Sequence, residues 1–87
     1  MTTLVHPTVH LNGTSKDELL QGYLDAINAL REASVKIGHA GPNARDYYVQ
    51  GHDAFTQARD QHVARLIKLA EVQKELEQIA EKLAGLS

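Results

Sequence analysis

Two apolar stripes with helical spacing, separated by a connection broken by glycine and proline, restrict this chain to a helical hairpin. The first stripe reads Leu20, Tyr23, Ile27, Leu30, Ser34, Ile37. The second reads Phe55, His62, Leu66, Leu69, Val72, Leu76, Ile79, Leu83, Leu86. Steps of three, four and seven keep each set on one face of a 3.6-residue helix. Between them lies GHAGPNARDYYVQGHD. The expected fold class is all-α: a helical hairpin with an extended N-terminal arm, assembling into a homo-oligomeric helix bundle.

Local signals place the boundaries. Residues 1–14 read as an extended or flexible arm, because Leu4, Val5, Val9 and Leu11 alternate only weakly with polar residues and Pro7 disfavours a helix. Residues 15–87 form a single helical-hairpin domain. Ser15 followed by Glu18 fits a capping box, and Asp17 and Glu18 suit the positive end of the helix dipole. The first helix is expected over about 16–37, with Gly38 past its end and Gly41–Pro42 enforcing the stop. The connection spans about 38–52, longer than is usual between bundle helices. Asn43 can cap a short helical turn, so residues 43–50 form either a short helix or irregular chain. The second helix is expected over about 53–84, capped by Asp53 and ended by Gly85. Gly22 weakens the first helix by about 1 kcal/mol relative to alanine, and permits close approach of a second backbone.

Size forces the question of assembly. A chain of 87 residues buries a modest share of its surface, and without cysteine it has no disulfide or thiolate metal site to compensate. Val63, Ile67, Ala70 and Ala80 lie beside the second stripe, and Leu19, Leu24 and Ala33 beside the first. These widen the apolar surface beyond a two-helix seam. The expected oligomer core is Leu20, Tyr23, Ile27, Leu30, Phe55, Leu66, Leu69, Val72, Leu76, Ile79 and Leu83, and a dimer forming a four-helix bundle is the simplest assembly.

Charge and motifs narrow the function. The net charge of −2 argues against nonspecific nucleic-acid binding, which draws its affinity from a basic excess. No apolar run approaches the roughly 20 residues that span a bilayer, and the N-terminus lacks signal-peptide character. A cytoplasmic protein with no membrane association is expected. Phosphate-cradling loops and dinucleotide fingerprints are absent, and no cofactor motif is present. His6 and His10 are four apart but flank Pro7, so no helix presents them together. His39, His52 and His62 have no metal partners at familiar zinc spacings. His62 falls on the inner stripe, as a hydrogen-bonded interfacial histidine or a pH-sensitive interface group. Glu71, Glu75, Glu77 and Glu81 read as a solvated acidic face, since paired catalytic carboxylates need a concavity that a short hairpin scarcely offers. No catalytic residue or metal ligand emerges, and a non-enzyme is expected.

The connection differs from the rest. From Lys36 to Lys68 the local charge is +2, leaving −4 for the remainder. Arg45, Tyr47 and Tyr48 supply a forked donor and two aromatic faces, with His52, Arg59, His62 and Arg65 nearby. These seven residues are the candidate binding site. They suit a protein hot spot, or stacking against a nucleotide base beside its phosphate. Equally, the tyrosines can pack on the hairpin while Arg45 pairs with Asp46 or Asp53, merely ordering a long connection.

At HLNGTSKDELL, PNARDYYVQG and DAFTQARDQHVARL the chain resembles small uncharacterised helical-hairpin proteins encoded by tailed bacteriophages and prophages. The resemblance covers most of the chain from residue 10 onward and carries no activity signature. It implies a bacterial host cytoplasm and a bias toward binding host factors. The expected function is a phage-type binding protein that modulates or inhibits a host defence factor by occupying its surface. An oligomeric sponge for a small anionic cyclic nucleotide, and a structural or assembly protein, are the alternatives. The expected partners are a second copy and a host protein, or that small nucleotide.

Overall fold

The computed structural model describes residues 3–86. Residues 1 and 2 of the expected arm, and residue 87 of the expected hairpin domain, lie outside them. Two antiparallel helices, α1 (Lys16–His39) and α2 (Ala54–Ala84), form a stalk, joined through the 3-10 turns Ala44–Asp46 and Tyr48–Gln50. The described residues contain no strand.

The helix ends follow their local chemistry. The Ser15 hydroxyl accepts from the Glu18 N–H at 3.2 Å, so the Ser15 half of the capping box is made. α1 runs two residues beyond the expected end. Gly38 lies inside it, and Ala40 caps it by donating back to the Lys36 and Ile37 carbonyls. Glycine costs helix stability without forbidding it, so the stop waits for Pro42, which holds its predecessor out of the helical region. Asn43 caps the first 3-10 turn through its side chain, accepting from the Arg45 N–H at 3.2 Å. Asp53 precedes α2, but its side chain does not cap the helix. Its backbone is already helical, and its carboxylate turns to His52 Nε2 at 3.1 Å. Gly85 closes α2 in the left-handed region at φ 79°, with the Leu86 N–H donating to Glu81 at 2.9 Å. This is the Schellman arrangement that glycine favours.

The length of the connection has a geometric cause. The Gly41 turn meets α2 at His62: a Cβ built on Gly41 would lie 3.2 Å from His62 Nε2. The first two turns of α2, residues 54–61, therefore project beyond the end of α1, by about 12 Å at 1.5 Å per residue. The connection must climb that distance before α2 can start, and the two 3-10 turns are its rungs.

The core is thin and sits away from the connection. Ile27, Ile79, Ala80 and Leu83 are the buried hydrophobic residues. Leu20, Tyr23, Leu30, Leu66, Leu69 and Leu76 are half-buried along the seam, and Phe55 is half-buried on the projecting end of α2. Two members of the second stripe, Val72 and Leu86, are exposed in the single chain. Val72 lies on the edge of α2's inner face, and Leu86 follows the helix. Conversely, Ala80 is buried because a small side chain lets the helices close beside Ile27. Arg31 reaches across the stalk to Glu77 Oε1 at 3.7 Å, and Gln73 donates to the same oxygen at 2.8 Å. Glu77 is thus half-buried and engaged, while Glu71, Glu75 and Glu81 remain in solvent.

The shape is a rod of 61 × 27 × 21 Å with a radius of gyration of 18.4 Å. A compact chain of this length has a radius near 12 Å. Its accessible surface, 6807 Å², exceeds the roughly 5,100 Å² of a compact 9.6 kDa protein. A composition that is 43% hydrophobic thus leaves Leu24, Val35, Val63, Ile67 and Val72 in solvent. In the arm, His10 and Gly13 close a turn at 3.1 Å. Leu4, His6 and Pro7 are half-buried, whereas Val5, Val9 and Leu11 are exposed. His6 Nδ1 is shut off from solvent without a hydrogen-bond partner.

Candidate functional site

The connection folds over the projecting end of α2 and makes a tip. Tyr47 bridges the two 3-10 turns and is half-buried; its N–H donates to Ala44 and its carbonyl accepts from Gln50, both at 3.0 Å. Tyr48 and Val49 are 75% and 76% exposed. The two tyrosines therefore divide the work: Tyr47 anchors, and Tyr48 is presented. Tyr48 does not join the α2 stripe, because Gly51 at φ 121° turns the chain before α2 begins.

The cationic residues do not converge on one point. Arg45 is exposed on the first 3-10 turn. It makes no ion pair with Asp46 or Asp53. Arg59 sits 6.0 Å from the centre of the Phe55 ring and 3.7 Å from Asp60. That geometry is at the outer limit of a cation–π contact. His52 is exposed and faces Asp53, while His62 is half-buried against Gly41, lower on the stalk. Arg65, three residues further on, is exposed. The structure thus gathers Arg45, Tyr47, Tyr48 and His52 on the tip, with Arg59 on the helix beside it. His62 and Arg65 belong to the stalk.

Val49 was not singled out by the sequence. Its signal is faint: a β-branched residue beside an aromatic one, in a segment outside both stripes. Tyr48 and Val49 are thus both held in solvent on turns ordered by their own hydrogen bonds.

Concavity lies elsewhere. A cleft of about 300 Å³ opens on one flank of the stalk, lined by Leu19, Gly22, Tyr23 and Ala26 of α1 with Leu76 of α2. A second, of about 250 Å³, lies on the other flank among Leu24, Ile27, Asn28, Arg31, Glu77 and Glu81. Among the described residues no cluster of three His, Asp or Glu side chains could hold a metal ion. No helix among them is long and apolar enough to cross a membrane.

Comparison with protein-family models, curated proteins and solved structures finds no match.

Proposed function

We propose that the protein is a non-enzymatic, self-associating helical hairpin that acts by occupying the surface of a partner protein with its tip. The observation that carries this is the Tyr48–Val49 pair, exposed at the end of the rod on turns ordered by their own hydrogen bonds. Burying an aromatic ring that is already positioned costs little conformational entropy, and tyrosine and arginine dominate protein hot spots. Arg45 and Arg59 are exposed cations of the same end of the rod and favour an acidic rim on the partner. Self-association draws its support from the thin core and the exposed aliphatic side chains of both helices. The resemblance to phage and prophage proteins makes a host factor, such as a component of bacterial defence, the natural partner.

Sequestration of a cyclic nucleotide has less support. The two clefts lie on the stalk, away from Arg45 and Tyr48, and the one that contains Arg31 is also lined by Glu77 and Glu81. A phosphate there meets two carboxylates.

The test is capture from bacterial lysate followed by native mass spectrometry, with the wild type and an Arg45→Ala, Tyr48→Ala variant. The expected result is a protein partner held by the wild type and lost by the variant, with helical content unchanged. A co-purified nucleotide, or calorimetric binding of cyclic di- and trinucleotides, would transfer support to the sponge. Capture of neither leaves a structural or assembly role.

A further inference from the structure

α1 carries a second heptad seam. Leu19, Gly22, Ala26, Ala29 and Ala33 follow one another at steps of three and four, the spacing of a helix–helix contact. Each of its residues directly precedes one of the stripe that faces α2, so at 3.6 residues per turn the seam is rotated from that stripe by about 100°. A helix in a four-helix bundle touches two neighbours and needs two such seams. α2 fills the first. Gly22, Ala26 and Ala29 on the second are exposed, and the 300 Å³ apolar cleft opens onto it. On α2, Val72 is exposed one turn from Leu76, which lines that cleft.

We propose that a second copy of this chain occupies this seam, with α1 packed antiparallel to α1 across a two-fold axis. The proposal rests on the self-association in the functional reading and specifies its surface. Three observations select this occupant. The first is area: the rod exposes about 1,700 Å² more than a compact chain of its mass, and a standard interface takes about 800 Å² from each partner. A dimer can use about half of that excess.

The second is symmetry. An isologous interface must complement itself. The seam is matched about the midpoint between Ile27 and Asn28: Ala26 answers Ala29, and Gly22 answers Ala33. An antiparallel pairing sets Ala29 of the partner subunit over Ala26, and Ala33 of the partner subunit over Gly22. Side chains this small let the axes approach to about 8 Å. This gives Gly22 a use that outweighs its cost to the helix.

The third is charge. Glu18 lines the cleft at one end of the seam, and Lys36 stands at the other. Antiparallel pairing brings Lys36 of the partner subunit level with Leu19, one residue from Glu18. A parallel pairing would set the two Glu18 carboxylates side by side. The opposite flank offers no such match, because Arg31, Glu77 and Glu81 interrupt it. The assembly places the two tips at opposite ends of the bundle, each free to bind.

Sedimentation equilibrium at tens of micromolar should give twice the 9.6 kDa mass for the wild type. Ala26→Glu combined with Ala29→Glu should weaken the dimer at least 100-fold, with helical content retained because both residues are exposed in the single chain. Ile67→Glu, on the far side of α2, should leave the dimer intact. As the chain has no cysteine, two single variants, Ala26→Cys and Ala29→Cys, report the register even if the glutamate variant does not fold. Mixed in equal amounts and oxidised, they should form the mixed disulfide well beyond the twofold excess over either homodisulfide that random pairing gives. A dimer that survives the double glutamate variant, or a mixed disulfide no more abundant than the statistical twofold, overturns the seam while leaving self-association standing. A wild type that is monomeric throughout overturns both. Partner capture by the tip is read separately and does not depend on this result.

Discussion

The two ends of the rod are built differently. At the end away from the connection, Ile27, Ile79, Ala80 and Leu83 are buried and α2 is closed by a Schellman turn. Around the connection no described hydrophobic side chain is fully buried; Ile37, Leu66 and Leu69 are half-exposed. The tip is held by turns and by Tyr47 rather than by a core. Stability is therefore concentrated at one end, and presented chemistry at the other. The tip proposed to bind a partner thus sits at the less stable end, where local opening need not unfold the stalk, because local opening and global unfolding differ in cost.

The sharpest way to break this comparison is by truncation at both ends. Leu83→Ala should cost about 2–4 kcal/mol, as for a buried leucine, and Leu66→Ala about half as much. Urea midpoints at one fixed protein concentration measure both. Equal losses would mean that the connection end carries as much core as the other. Hydrogen exchange extends the comparison along the chain. Amides of residues 79–83 should exchange only with global unfolding, whereas those of residues 44–58 should exchange at least about 100-fold faster. Uniform protection would contradict a divided rod.

Smaller effects sharpen the picture. Ser15→Ala removes the cap of α1 at the well-packed end and should cost about 0.5–2 kcal/mol. Arg45→Ala with Tyr48→Ala should change stability by no more than about 0.5 kcal/mol, since both side chains are exposed. A larger loss would turn the tip from a presented surface into a structural clasp. The smallest change is expected in the arm. His6 has a shielded, unpartnered nitrogen, so His6→Leu should leave the urea midpoint unchanged or raise it slightly.

Much of this architecture was legible in the residues. Period-3.6 stripes identify helices because the backbone dictates which side chains share a face, whatever lies opposite. Ser15, Asn43 and Gly85 sit where they do because capping is a local matter of one side chain or one φ angle. Local rules failed where the outcome depended on neighbours. Asp53 had the composition of a cap and gave its carboxylate to His52. Gly38 looked like a helix end and was carried through. Val72 and Leu86 keep the phase of their stripe and are exposed in the single chain, because two helices cover only part of each other's circumference.

The candidate site divides along the same line. Arg45, Tyr47 and Tyr48 stood out as residue types, but neighbouring tyrosines are equivalent in a sequence. Which one anchors and which one is presented followed from the 3-10 turns, as did the exposure of Val49. His62 and Arg65 shared the sequence neighbourhood of the connection, yet α2 carries them down the stalk. By itself, the sequence determined two helices, their caps and the character of the segment between them, since those depend on interactions within a few residues. The tertiary structure decided how far α2 projects beyond α1, which side chains the tip displays and which seam of α1 is left open. Those depend on the register of one helix against the other, which no local interaction sets.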